Sequence, residues 1–138
     1  MQEKINLILS LFSSGETQAA LDSAKDLIKD FPNEEILFNI IGACYASLGD
    51  HKAAIKNYEK AIIIKPDYAK AHFNLGGTFQ DMGQLDSSVK SYKKAIDIEP
   101  NYAEAHNNIG NVLRELGQLD SAISYYEKTL VINPIYIE

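Results

Sequence analysis

Tryptophan is missing from this chain of 138 residues and cysteine occurs once. A single thiol, Cys44, cannot close an internal disulfide, and one cysteine in a chain of this length fits a reducing compartment. It stands among apolar neighbours in a helical stretch, which reads as a small core filler. Positive charge is also scarce: 13 Lys and Arg against 19 Asp and Glu leave a net charge of −6. The cations are dispersed, so neither the basic stripe that grips nucleic acid nor a polybasic membrane patch is present. Long apolar runs are absent as well. The segment 5–12 is broken by Asn6 and Ser10 and is too short to span a bilayer. The opening residues lack the basic start and apolar block of a signal peptide, so the expected location is cytoplasmic.

Proline is sparse too, but its placement is informative. The four prolines stand at positions 32, 66, 100 and 134, an interval of 34 each time, and most of the sequence recurs with them. Four such units account for 136 of the 138 residues, leaving no room for a separate catalytic domain. In the third unit Ala71, Leu75, Thr78, Phe79 and Met82 fall at helical spacing. Gly83 then stops the helix, and its copies are Gly15, Gly49 and Gly117. Leu85, Ser88, Val89, Tyr92, Ala95 and Ile96 mark one face of a second helix, which Pro100 ends by forcing an extended approach. Asn33, Asp67 and Asn101 follow the first three prolines as expected N-caps. Each unit therefore reads helix, turn, helix, turn, with helices of about 13 residues, roughly 20 Å long.

Such a pair of helices cannot bury both of its apolar faces alone, so stacking is obligatory. Gly42, Gly76 and Gly110 recur on the first helix of units two to four, where a missing side chain permits close approach by the paired helix. Unit one instead has Ile8 at that place, and Ala24 where the others have Tyr58, Tyr92 and Tyr126. Its packing must differ, as terminal repeats usually do.

These residues resemble the tetratricopeptide repeat. The second copy reads Phe38-x2-Ile41-Gly42-x2-Tyr45, then Ala54-x3-Tyr58, Ala61 and Pro66. The third reads His72-x2-Leu75-Gly76-x2-Phe79, then Ser88-x3-Tyr92, Ala95 and Pro100. The fourth reads His106-x2-Ile109-Gly110-x2-Leu113, then Ala122-x3-Tyr126, Thr129 and Pro134. Only the first copy is degenerate, and the likeness covers essentially the whole chain. It implies an all-α fold, an α-solenoid of four helix-turn-helix units and eight helices winding into a right-handed superhelix. The expected organisation is a single array over 1–138, with repeats at 1–34, 35–68, 69–102 and 103–136. The family further implies a protein–protein interaction scaffold.

Little in the sequence suggests chemistry. His72 and His106 lie one period apart, where the family usually has a large aromatic, so repeat position explains them; His51 opens a second helix. There is no cluster with metal-ligand spacing, no phosphate-binding loop and no Ser, His and Asp set. Gly76-Gly77 falls inside a helix rather than after a strand. No enzymatic activity and no cofactor are expected.

In this fold the first helix of each unit lines the concave groove. That register places Asn39 in unit two, Lys70, Phe73 and Asn74 in unit three, and Asn107, Asn108, Asn111 and Arg114 in unit four, with Asn6 in unit one. The groove runs from apolar at Ile5, Leu9, Phe12, Ile36 and Ile40 to amide-rich and mixed in charge. Asn6, Asn74 and Asn108 share one register; Asn39 and Asn107 stand one place earlier. A carboxamide both donates and accepts, so it can pair with the C=O and N–H of a peptide unit. With helices about 8–10 Å apart and about 3.3 Å per residue in an extended chain, successive asparagines meet roughly every third residue of a bound strand. The pattern resembles the asparagine ladder of the repeat domain of O-linked N-acetylglucosamine transferases. A solvated polar face is the competing reading. Family members that grip acidic chaperone tails use Lys, Asn and Arg on successive groove helices. The matching positions here are Ile5, Leu9, Ile40, Lys70 and Asn74, of which only Lys70 fits.

The expected partner is an extended peptide or protein segment, with no nucleic acid and no membrane. At the ends, an apolar first helix and a last helix bearing Ile123, Tyr126 and Leu130 await cover, so self-assembly through uncapped terminal helices is one alternative. The other is a substrate-recruiting repeat domain of a larger glycosyl- or sulfotransferase. It rests on an opening segment that loosely resembles the repeats of bacterial transferases, and on the chain stopping two residues after a complete unit.

Overall fold

The computed structural model describes residues 1–134. Among these residues the fold is all-α, with α1 (Gln2–Ser13), α2 (Thr17–Asp30), α3 (Glu35–Ser47), α4 (His51–Ile64), α5 (Ala69–Asp81), α6 (Leu85–Ile98), α7 (Ala103–Glu115) and α8 (Leu119–Ile132). None of these helices is long and apolar enough to cross a membrane. The chain divides into two compact units at the second proline turn, Met1–Asp67 and Tyr68–Glu138. In the first, α1 packs on α2, α2 on α3 and α3 on α4, with α1 also reaching α3; in the second, α5 packs on α6, α6 on α7 and α7 on α8.

Two turn chemistries alternate along the chain. After each first helix comes a glycine in the left-handed region, with φ of +87° at Gly15, +83° at Gly49, +75° at Gly83 and +78° at Gly117. At Gly83 the closure is a pair of bonds, Gly83 N–H to Gln80 O at 3.0 Å and Gln84 N–H to Phe79 O at 2.9 Å. These satisfy carbonyls that the helix end would leave bare. After each second helix the residue before proline is driven out of helical geometry: φ and ψ are −131° and 68° at Phe31 and −121° and 91° at Glu99.

The expected N-caps are displaced by one residue. The caps are Glu34, Tyr68 and Tyr102 rather than Asn33, Asp67 and Asn101, and none makes a side-chain capping bond. Proline takes the second position of a turn and the following Asn the third, with Glu34 N–H closing on Phe31 O at 3.3 Å and Tyr102 N–H on Glu99 O at 3.1 Å. Proline fixes the φ this turn needs, so the polar residue is consumed by the turn. Asp50 does cap α4, accepting from Ala53 N–H at 3.1 Å.

The core of the first unit includes Ile5, Ile8, Leu21, Ala24, Leu37 and Ile41, and Cys44 is fully buried within it. In the second unit Val89, Tyr92, Ile109, Val112 and Leu113 cluster. Within each of the last three hairpins a glycine faces a tyrosine ring. A Cβ on Gly42 would lie 2.7 Å from Tyr58 Cδ1, one on Gly76 2.7 Å from Tyr92 Cδ1, and one on Gly110 2.6 Å from Tyr126 Cε1. In the first hairpin the sizes are exchanged: bulky Ile8 and small Ala24 are both buried. Met82, assigned by spacing to the apolar face of α5, is instead the residue after its last turn and is exposed.

Alanine in place of a helical glycine normally gains about 1 kcal/mol of propensity. At Gly42 the added methyl meets a ring that is itself 2% exposed and has no room to swing away. Overpacking of this kind costs about 1–3 kcal/mol, so Gly42→Ala should lower the urea unfolding midpoint. Combining it with Tyr58→Ala should cost less than the sum of the two single changes.

Candidate functional site

Each first helix of the second unit presents a buried stripe flanked by a more exposed one. On α5, Ala71, Leu75 and Thr78 are buried, while Lys70 is exposed and Phe73, Asn74 and Gly77 are half-buried. On α7, Ala105, Ile109 and Val112 are buried; Asn108 and Asn111 are half-buried and Arg114 is exposed. Asn74 and Asn108, one period apart, thus lie at comparable depth. In the first unit Asn6 is exposed on α1 and accepts from Gln2 Nε2 at 3.0 Å.

Two predicted groove residues sit deeper. Asn39 is 6% exposed and Asn107 is 5% exposed, so the register one place earlier points into packing rather than outward. Successive positions on a helix differ by about 100°, which is enough to separate a buried from a half-exposed site.

The polar surface of the second unit is held by hydroxyls that repeat spacing alone assigned to packing. Tyr92, 1% exposed, donates from its hydroxyl to Gln80 Oε1 at 2.8 Å and accepts from Asn108 Nδ2 at 3.4 Å. A buried ring from α6 therefore ties a side chain of α5 to one of α7. Tyr126 repeats the device, donating to Asn111 Oδ1 at 2.5 Å. Ser88 Oγ donates to Gly76 O at 2.8 Å, holding α6 against the same stretch of α5. The recurrence of tyrosine at 58, 92 and 126 was visible in the sequence; that its hydroxyl emerges beside the polar stripe was not.

Phe73 is not a free aromatic. Its ring stacks on Tyr102 with centroids 4.9 Å apart at 21°, and meets Tyr92 at 5.4 Å and 52°. Offset and tilted pairs of this kind contribute about 0.5–1.5 kcal/mol beyond area burial. Phe73 therefore anchors α5 to the start of α7 and offers only part of its ring outward.

The histidines fill structural places. His72 and His106 are buried, and His106 Nε2 donates to Pro100 O at 2.8 Å, fastening α7 to the preceding turn. Among the described residues no group of three or more His, Cys, Asp or Glu is arranged to hold a metal.

Repeated helical hairpins are the geometry of this chain, and family comparison agrees. A TPR repeat model matches residues 42–83 and 78–113, and a tetratricopeptide repeat model matches 103–136. The chain belongs to the tetratricopeptide repeat family. The peroxisomal targeting signal receptor of Candida glabrata is 32% identical over 73 residues, 51% of this chain and 12% of the receptor. The Hsp70-Hsp90 organizing protein 2 of Arabidopsis thaliana is 34% identical over 59 residues, 43% of this chain and 10% of that protein. The matched segment is thus a small fraction of either relative's length. Among solved structures, a crystal structure of the MamA protein has a TM-score of 0.85 at 26% identity, covering 96% of this chain and 73% of that one. A thermophilic TPR protein of Thermus thermophilus, TTC0263, has a TM-score of 0.87 at 22% identity over 96% of this chain and 73% of its own; that likeness is one of fold.

Burial alters the acid–base chemistry of this tetratricopeptide surface. It pushes the Tyr92 phenol up to about 12, against the opposing hydrogen bond from Asn108, and pushes Tyr102 up to about 12 as well. Burial also pushes the Cys44 thiol up to about 11, the opposite of what a reactive cysteine needs. The folded chain therefore holds the phenol protons more tightly than the unfolded chain. Their contribution to stability is complete below the ordinary phenol value of 10.0 and is lost as pH rises through about 12. Tyr92→Phe should lose less unfolding free energy than the parent between neutral pH and about pH 11, measured by urea titration at both.

Proposed function

We propose that this tetratricopeptide repeat chain is a protein-interaction scaffold that holds an extended polypeptide segment against the polar stripe of its first helices, without turnover. The reading rests chiefly on Asn74 and Asn108. They are half-buried at equivalent positions of α5 and α7, and Asn108 is oriented by the Tyr92 hydroxyl at 3.4 Å. A carboxamide oriented in this way keeps capacity for a peptide unit, and side-chain ordering that precedes binding lowers its entropic cost. Lys70 and Arg114 add exposed charge at the margins, so the bound segment is held by amide pairing with peripheral ionic contacts. Asn39 and Asn107 support the wall from within rather than forming it, and Phe73 is mostly committed to Tyr102. The names of the relatives, a targeting signal receptor and an Hsp70-Hsp90 organizing protein, are those of recognition proteins and agree with this reading. The four repeats acting as a single array, in the reducing cytoplasm, complete the proposal.

Hydrogen bonds contribute only about 0.5–1.5 kcal/mol net each, so a two-site change has a bounded effect. Asn74→Ala combined with Asn108→Ala should weaken capture of a pulled-down polypeptide partner at least about fivefold with helicity unchanged. Unaltered affinity would return both residues to the solvated surface.

A second reading, self-association, is favoured by α8. There Leu119 is 58% exposed, Ile123 54%, Leu130 50% and Val131 74%, an apolar face on the outermost described helix. It predicts a mass that rises with concentration in light scattering, and Leu130→Glu should return the protein to a monomer.

A further inference from the structure

The first unit carries a cleft on the side of α3 that bears Phe38, Ile41 and Tyr45. Phe38, Ile41 and Tyr45 follow one another at spacings of three and four along α3. They form one stripe, opposite the one bearing Ile36, Ile40 and Ala43. Beside them α2 and α4 rise on either side, and together these residues line a cleft of about 700 Å³. That volume falls within the range of about 300–1,000 Å³ typical of ligand sites.

The walls of the cleft are basic in a chain whose net charge is −6. Lys25 and Lys29 stand on α2, and Lys56 and Lys60 on α4. Four of the chain's 13 cationic side chains thus meet over one apolar floor. Each pair is spaced i, i+4, so its members lie on the same face of their helix, about 5–6 Å apart at Cβ. The compensation is partial and one-sided. Asp22 and Asp26 both belong to the α2 wall, where Asp26 pairs with Lys29 at 3.4 Å, while both charged residues that α4 gives the lining are lysines. Lys60 also lies over the Phe38 ring, its Nζ 5.6 Å from the centroid, so cation and aromatic are already apposed.

We infer that this cleft binds an acidic protein segment carrying apolar anchors, with its carboxylates toward Lys56 and Lys60 of α4 and its anchors on the half-buried rings of Phe38 and Tyr45. Charge complementarity selects the sign of the occupant. The floor selects its class: a uniformly charged polyanion has no use for two aromatic rings, and Asp22 and Asp26 would repel its phosphates. A peptide presents acids and apolar side chains on separate faces and so satisfies both parts of the cleft. Three of these registers recur one period later. His72, Lys90 and Lys94 take the places of Phe38, Lys56 and Lys60, and they line a cleft of about 550 Å³ in the second unit. There the floor residue is a histidine, so the first unit holds the better apolar seat. The surface is separate from the stripe proposed above, and each stands if the other fails.

The test titrates the whole chain into a short fluorescein-labelled peptide of interspersed glutamates and leucines, alongside the same peptide with every glutamate replaced by glutamine. Anisotropy should register saturable binding of the acidic peptide, at least about tenfold tighter than the glutamine peptide and weakening as salt rises. Lys56→Glu with Lys60→Glu should weaken it about tenfold or more, whereas Asn74→Ala with Asn108→Ala should leave it unchanged. A milder pair, Lys25→Gln with Lys29→Gln, guards against misfolding of the reversal variant and should weaken binding in the same direction. Equal affinity for both peptides, no saturable binding, insensitivity to both lysine pairs, or stronger binding of a single-stranded oligonucleotide or of phosphatidylserine vesicles would each overturn the inference.

Discussion

In each of the last three hairpins a tyrosine ring lies on a glycine of the facing helix, and much else depends on it. A Cβ at Gly76 would sit 2.7 Å from the Tyr92 ring, so the absence of that carbon sets how near α5 and α6 approach. Once the ring is there, its hydroxyl is delivered to a fixed point, where Gln80 and Asn108 meet it at 2.8 and 3.4 Å. Packing and polar surface thus share one residue: the ring closes the hairpin and the oxygen orients the Asn108 amide. Depth in the core gives that hydroxyl its position and also pushes its ionisation up to about 12, so it remains a donor across the physiological range.

Much of this could be read from spacing. The glycine and proline periods gave all eight helices, because left-handed backbone and the restriction before proline are properties of single residues and need no tertiary context. The Gly–Tyr contact was half legible: the gap at Gly42, Gly76 and Gly110 was evident, and the structure supplied the ring that fills it. Two things were hidden. Asn33 and Asn101 have the chemistry of helix caps but lie within proline turns, and a turn competes for the same side chains at the same distance from the helix. Asn39 and Asn107 differ from Asn74 and Asn108 by one helical step, and only the packing reveals that this step leads into the core.

The basic cleft was further still from sequence reading. Lys25 and Lys56 are 31 residues apart and belong to different repeats, so their convergence is a property of how α2 and α4 flank α3. Dispersed lysines looked like ordinary solvated charge because the net balance of the chain is acidic. Local sign and global sign differ here, and binding is governed by the local one. The two proposed surfaces also draw on different chemistry: amides with charge only at the margins in one, cations over an apolar floor in the other.

The exchange of large and small at Ile8 and Ala24 has a consequence for how a repetitive chain finds its order. Near-identical segments invite mispairing, since a helix can dock on the wrong copy of its partner at little energetic loss. Were α1 to pair with α4 instead of α2, Ile8 would confront Tyr58 and two bulky groups would compete for one space. Were α3 to take α2, Gly42 would face Ala24 and leave a void. Both errors are penalised, one by collision and the other by emptiness, so this single inversion of a shared pattern works as a phase marker for which helices pair.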